Sequence, residues 1–549
     1  MKAVAWAKRA AAPFVAVFDN PILLKELRAG MRGARYFATF MTILGIVSGI
    51  LLTVFAVSGA GRDDPSLIGA GVFAVAFTLN IVVAFLVVPS FGATSITSER
   101  ERQTYDILMS TTLTARQIVW GKLLASLAQV GAIFVSTIPV VGLTFLFGGI
   151  TVRQMVAGYV TLIAISILLS AWAISVSASS QTSQRAVASS YVGAILVFVM
   201  LWGLGSFAVS GPLAYAFAET YGLTPDLRMI GAAPPVIPPW ARALYVYILP
   251  AYLFITFVSL LLLNASARLK SRFDEKTPAF RIYFLAVTTV GLAIAYAIFK
   301  TDVAVSPAET RMLYLMVLGF LSFLTASVSC IFAAESVVQP LHVRERYAAL
   351  AGWRRWRWIL SPGSRPGAFF AVSAIIFLAG VSVILFLPDT HGFDQGSWSE
   401  YAAWTPLLRA VTVVIAWTVF LSGVAAWLTS VLPGRPRTIG VIAGLLLLAF
   451  CAIPIIHWSA STTVSPGFFQ YTEITRLPGP FTLILSPVAG IWTSLSVHHD
   501  GIRSLPLDVS FLGAELPLHA SQAVLFLGAG AILHLWAGRR RARLMERFA

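Results

Sequence analysis

Charge is scarce in this chain. Asp, Glu, Lys and Arg supply 11% of its 549 residues, where an ordinary soluble domain carries about 25%. Hydrophobic residues reach 58% and mean hydropathy is +0.83. So little polar surface cannot cover a water-facing globule, which makes lipid the main solvent. Cysteine is nearly missing as well. Cys330 and Cys451 both fall inside apolar stretches, which excludes a disulfide framework or a metal-ligand spacing and leaves two small core residues. A Gly-x-x-x-x-Gly-Lys-[Ser/Thr] phosphate loop is also lacking. If ATP drives this molecule, another polypeptide binds it, and the chain by itself is expected to be no enzyme and to need no cofactor or metal.

What charge there is has a sign. The net charge of +16 would suit a nucleic-acid partner only if the basic residues gathered on one soluble face. They sit instead in short runs between apolar stretches, as in the cytoplasmic loops of membrane proteins, so no nucleic acid is expected. Residues Met1 to Phe18 faintly resemble a signal peptide. Lys8, Arg9 and Pro13 interrupt the apolar region, and the segment reads as a retained cytoplasmic tail.

A spanning helix needs about 20 mainly apolar residues. Stretches of that size run at roughly 36–60, 68–95, 118–148, 154–178, 187–210 and 243–265, then at 282–299, 312–334, 368–388, 406–431, 438–456 and 518–537. The expected fold is therefore all-α and polytopic, with about twelve transmembrane helices. With both termini in the cytoplasm, the outer side holds only Arg62, Arg153, Arg228, Arg242, Lys300, Arg311, Arg409, Arg476 and Arg503, which leaves thirty of the 39 Lys and Arg inside. That asymmetry orients the chain. Leu477 to Val497 tempts a thirteenth span, but it contains Pro478, Pro480, Pro487 and Gly490 and would export the basic tail at 538–543. It reads as a re-entrant or interfacial outer element.

An offset of 244 carries Glu101-Arg102 onto Glu345-Arg346 and the first span onto the seventh. Six spans per half would make a degenerate parallel repeat. The expected domains are 1–35 (tail and interfacial helix), 36–266 (first six-span unit), 267–281 (basic cytoplasmic linker) and 282–549 (second unit, with a long outer loop at 457–517).

Two cytoplasmic stretches stand out. In the first, Asn20-Pro-Ile-Leu-Leu-Lys-Glu-Leu-Arg28, Asn20 suits an N-cap and Pro21 the first helical position. Ile22, Leu23 and Leu27 give an apolar face, and Lys25, Arg28, Arg32 and Arg35 a basic one, so the helix is expected to lie at the headgroup level. The second runs from Ser98 to Gln117. Ser98 with Glu101 reads as a capping box that starts a helix, Arg102 and Asp106 as an i,i+4 pair, and Tyr105 and Leu108 as one face. Such a helix would offer a docking surface to a soluble partner.

Together the two stretches resemble the type-2 (ABC-2) ABC exporter permease family, which opens with Asn-Pro-x-x-x-Lys-Glu-x-Arg. Here that is Asn20, Pro21, Lys25, Glu26 and Arg28. Between spans two and three the family carries Glu-Arg-Glu-x-x-Thr-x-x-x-Leu, Thr-Pro-Leu and a Gly-Lys. This chain has Glu99, Arg100, Glu101, Thr104 and Leu108, then Thr111, Leu113, Gly121 and Lys122, with Thr112 in place of the usual proline. The match covers roughly 20–265. It implies an elbow helix over the first stretch and a coupling helix at 98–110 that sits on a separate ABC-type ATPase subunit, with Asp106 on the same segment. It also implies an exporter permease of the bacterial inner (plasma) membrane, working as a homodimer or as an internal pseudo-dimer. The second half departs from the pattern: its loop reads His342-Val-Arg-Glu-Arg-Tyr, then Trp353-Arg-Arg-Trp-Arg-Trp358, which suits an interface belt.

Two other classes compete. A secondary transporter also accommodates twelve spans and a repeat, but usually needs ionisable residues inside the membrane. Within the spans above, charge appears only near the ends, as Lys122 and Arg409. His534 reads as a packing residue, and Asn80 and Gln129 as interhelical hydrogen-bonding groups. A membrane enzyme would need a His, Asp or Glu cluster, for which His498-His499-Asp500 on an outer loop is the sole candidate.

Overall fold

The computed structural model describes residues 21–59, 65–142, 151–208, 239–270, 275–300, 325–335, 341–350, 352–390, 401–431, 508–511 and 514–548, with isolated positions between 144 and 150. The chain divides into two compact units, Met1–Asp274 and Glu275–Ala549. Nearly all described elements are helices, as the apolar runs dictate: in lipid every backbone N–H and C=O must bond within its own segment.

In the first unit these are α1 (Pro21–Met31), α2 (Ala34–Gly59), α3 (Pro65–Glu101), α4 (Tyr105–Met109), α5 (Ala115–Gly142), α6 (Val152–Ser179) and α7 (Ser183–Ala208). A short helix α8 (Pro239–Ala243) then passes through a π turn, Leu244–Ile248, into α9 (Leu249–Leu269). The second unit holds α10 (Thr277–Lys300), a 3₁₀ turn at Cys330–Ala334, α11 (Leu341–Ala348), a 3₁₀ segment at Gly352–Leu360, α12 (Ser364–Thr390), α13 (Tyr401–Val431) and α14 (Leu518–Phe548). Ahead of α14, strands β1 (Asp508–Phe511) and β2 (Ala514–Pro517) pair antiparallel, Asp508 opposite Pro517. Hydropathy gave no sign of this hairpin.

Among the described residues, eight helices are long and apolar enough to cross a membrane. They coincide with the first four, the sixth, the seventh, the ninth and the tenth stretches of the sequence reading. Shorter apolar helices at Ser183–Val199 and Thr325–Ala334 fall on the fifth and eighth, and α14 covers the twelfth. The expected eleventh span, 438–456, and the proposed outer element at 477–497 lie outside the described residues, as do Asn20, Cys451 and His498 to Asp500.

In the first unit α6 is central, packed against α3 and α9. Polar groups join these helices where lipid offers no partner. The Ser177 hydroxyl accepts from the Ile96 and Thr97 N–H groups at 3.1 and 3.2 Å, and Asn264 donates to Ser175 Oγ at 2.8 Å. Thr137 links Asn80 Oδ1 and the Tyr159 hydroxyl, each at 3.2 Å. Asn80 thus bonds across helices as expected. At Gln129 the bond across helices is made by the backbone instead, whose carbonyl oxygen accepts from the Tyr36 hydroxyl at 2.8 Å.

The second unit is built on α13, packed against α12 and α14. Trp417 meets Phe526 edge-on at 5.0 Å, and His534 Nε2 lies 3.1 Å from the Ser422 hydroxyl, a packing histidine. The α13–α14 contact is close enough to exclude side chains. A Cβ on Gly530 would stand 2.9 Å from Phe420 N and from the Val419 carbonyl, and one on Gly423 would stand 2.9 Å from Gly530 O. Small residues let helix backbones approach in this way. Gly530→Val is expected to force α13 and α14 apart, costing about 1–3 kcal/mol by overpacking. Faster hydrogen exchange in peptides covering 413–426 would report it; exchange at the native rate would refute it.

Candidate functional site

The two stretches singled out in the sequence meet at one end of the first unit. Helix α1 begins at Pro21, which pre-sets the backbone angle and lacks an N–H that a first turn would leave unpaired. Ile22 and Leu23 are buried while Lys25 and Arg28 are exposed, so the two faces separate as their spacing requires. Ile22 enters a cluster with Ile96, Ile118, Leu123, Ile174 and Leu262, onto which Tyr105, Leu108 and Leu113 pack.

At the centre of the site is Lys122, on α5, with a side chain only 1% exposed. Its ammonium lies 2.9 Å from Glu26 Oε1 of α1, 3.1 Å from Glu99 Oε1 of α3 and 2.7 Å from the Ser95 carbonyl oxygen. Three acceptors match its three N–H donors. Lys25 approaches Glu99 at 3.5 Å, but its side chain is 65% exposed and that pair contributes under about 1 kcal/mol. Lys122 therefore dominates, bridging two carboxylates from different helices in a poorly solvated place. A cavity of about 150 Å³ lies beside it, lined by Glu26, Thr94, Ser95, Ser98, Lys122 and Gln129 among others; it is polar and large enough for water.

Past the ion cluster the chain differs from its expected local structure. Ser98 and Glu101 do not start a helix. They end one: α3 runs unbroken to Glu101, and Arg102 N still bonds back to Ser98 O at 3.0 Å. The chain then turns through Gln103, whose φ of 59° is uncommon for a residue with a Cβ, and Thr104 N returns to Glu99 O at 2.9 Å. Thr104 precedes α4 without capping it through its side chain. The stretch 98–110 is thus a helix end, a reversal and a five-residue helix. Arg102 and Asp106 lie on opposite sides of the break, so the i,i+4 geometry assumed for them does not exist.

The three charged motif residues face their own chain. Glu99 joins Lys122. Arg100 donates to the carbonyl oxygens of Ala178, at 2.9 Å, and Ser180, covering the end of α6, and its guanidinium stands 5.0 Å from the Tyr105 ring. Glu101 accepts from the Ser183 N–H at 2.6 Å and the Ser183 hydroxyl at 2.7 Å. It thereby serves the start of α7, where a carboxylate favours the unpaired N–H groups and the positive helix end. Asp106 and Thr104 are exposed and Leu108 half-buried. Ile107, which the sequence reading passed over, is 67% exposed. Its signal was there to see: an apolar residue at the one position of a short helix whose neighbours Tyr105 and Leu108 already occupy the packed face.

The family model described as ABC-2 family transporter protein matches residues 22–304, more than half of the 549 residues. The chain belongs to the ABC-2 transporter family. No curated protein sequence matches it. The ABC-2 match spans the whole of the site just described, from α1 through Lys122 to α9, and identifies the chain as a multi-pass membrane component of a transport system.

The second unit of this ABC-2 chain has a buried ion pair of its own, which sequence reasoning missed. Arg281, fully buried, meets Glu335 at 3.0 Å, and its guanidinium also donates to the Ser361 carbonyl at 2.7 Å and to that of Ile359. Glu335 accepts in addition from Thr277 at 3.1 Å and from the Gly363 N–H at 2.7 Å. Nearby, Tyr347 donates to Glu275 at 3.1 Å; burial, then that carboxylate, push its hydroxyl up to about 12. Among the described residues no group of three or more His, Cys, Asp or Glu side chains is placed to hold a metal.

Proposed function

We propose that this chain is the permease of an ATP-driven export system, energised by an ABC-type ATPase subunit on a separate polypeptide. The observation that carries the reading is the Glu26–Lys122–Glu99 cluster. It ties the elbow helix α1, the end of α3 and the start of α5 into one unit, and Tyr105 and Leu108 of the short helix α4 pack on the apolar cluster those three helices share. A push on α4 would reach the elbow and third span through Glu99 and Lys122. It would reach the fourth and fifth spans through Arg100 on Ser180 and Glu101 on Ser183. In this reading Glu99, Arg100 and Glu101 are positioning residues that hold the coupling segment, and Thr104, Asp106, Ile107 and Leu108 are the part that meets the ATPase. The elbow residues Pro21, Lys25, Glu26 and Arg28 anchor it to the membrane surface. Both termini lie in the cytoplasm of a cell whose plasma membrane holds the protein, and the second six-span half, or a second copy, completes the pathway.

Ile107→Asp tests the docking surface. Its side chain is mostly exposed, so the fold is expected to melt as the native protein does. Loss of an apolar anchor at an interface centre costs about 2 kcal/mol, which should cut retention of a co-expressed ATP-binding-cassette subunit more than tenfold. Full retention with native ATP hydrolysis would remove α4 as the docking element and restore the secondary-transporter alternative.

A further inference from the structure

The inner end of the second unit gathers positive charge that the transport reading does not use. Arg541, on α14, donates to the Ser364 hydroxyl at 2.6 Å, which brings it to the residue beside Arg365. Arg365 in turn stands 5.9 Å from the Trp358 ring. Among the described residues no carboxylate pairs with either arginine. Arg541 is partly buried, its Nε has no hydrogen-bond partner, and its guanidinium pKa is pulled down by burial and then by the like charge of Arg365. Two cations held close, one with a buried donor that bonds to nothing in the described residues, favour an anion.

Its walls are fixed. The Arg281–Glu335 pair holds the carbonyls of Ile359 and Ser361 and the Gly363 N–H, so the corner between the 3₁₀ segment and α12 is set before anything binds. Its surroundings are apolar on one side. Trp358 packs edge-on against Phe369 at 5.5 Å, and Phe369 is 53% and Trp356 50% exposed. Tryptophan in this setting marks the level of lipid headgroups, and Phe369, a turn further along α12, continues into a span.

We infer that Arg365 and Arg541 bind the phosphate of an anionic phospholipid, whose acyl chains lie along Phe369 and Trp358. Guanidinium groups suit phosphate oxygens because their N–H donors form a planar fork. A lipid fits better than free phosphate because the charged corner opens onto exposed apolar surface at the face that the charge bias assigns to the cytoplasm. The second unit would then use its departing loop to fasten to the membrane.

The test uses the full chain in a non-ionic detergent, offered phosphatidylglycerol, phosphatidylcholine of the same acyl chains, or inorganic phosphate, with bound lipid counted by native mass spectrometry. Phosphatidylglycerol should be retained in preference. Arg365→Gln, at an exposed side chain that leaves the fold intact, should weaken retention about fivefold, and Arg365→Gln with Arg541→Gln about 25-fold. The paired lysine variants should keep most of it, and Arg346→Gln, elsewhere on the same face, all of it. Equal retention of the two lipids by the native protein, unchanged retention by Arg365→Gln, or displacement of the lipid by an equal concentration of inorganic phosphate would each overturn the inference. Loss of ATPase binding in Ile107→Asp leaves this readout untouched, so the two proposals fail separately.

Discussion

Lys122→Met is expected to be the most damaging single change in the first unit. The substitution keeps much of the side-chain volume and removes the charge, leaving Glu99 and Glu26 facing one another with nothing between them but the solvated Lys25. Breaking a buried pair in this way costs about 3–5 kcal/mol, because an uncompensated charge remains behind. The damage should be local at first: hydrogen exchange in peptides covering 21–31 should rise, since α1 loses its only charged tie to α5 among the described residues. Adding Glu99→Gln to Lys122→Met removes the more buried of the two stranded carboxylates. The double variant should then recover part of the loss, with a coupling of about 1–3 kcal/mol between the two positions. Native exchange in Lys122→Met, or strictly additive losses in the double variant, would show that the cluster does not hold the elbow in place.

The reading of the sequence succeeded where one segment decides its own structure. Among the described residues, apolar runs of spanning length are helices because hydrocarbon leaves the backbone no other choice. Pro21 began α1 because the constraint lies within the residue. Where two segments decide together, local patterns misled. Ser98 and Glu101 have the spacing of a capping box, yet that spacing does not say whether a helix begins or ends. Glu101 does accept from the N–H at a helix start, but the helix is α7, 82 residues onward. Lys122 was legible as a rare cation at a span edge, and Glu26 and Glu99 as motif residues. That the three form one cluster depends on α1 packing against α5, which no window of sequence contains. Arg281 and Glu335 were less visible still, because each falls one residue beyond an apolar stretch and so reads as ordinary loop charge.

That position is why Arg281→Met should be the corresponding test in the second unit, with an effect at least as large. The guanidinium is fully buried, as is all but 6% of the Glu335 side chain, so water cannot take over the roles it loses. Three groups are stranded at once: the Glu335 carboxylate and the carbonyls of Ile359 and Ser361. Each unpaired buried acceptor adds to the 3–5 kcal/mol of the broken pair. The 3₁₀ segment should come loose from the start of α12, opening the backbone between Gly352 and Leu360 to cleavage by trypsin. Arg281→Met with Glu335→Leu separates charge from packing. If the pair serves only stability, the apolar replacement should restore most of the melting temperature, as buried ion pairs are often replaceable by apolar groups of similar volume. The Gly363 N–H and Thr277 hydroxyl would still lack their acceptor, so protease resistance at the loop should return less fully than the melting temperature. Restoration of both to native values would mean that Glu335 is not needed to hold the corner. Failure of Arg281→Met to change either would mean that the pair, despite its burial, contributes nothing to the fold.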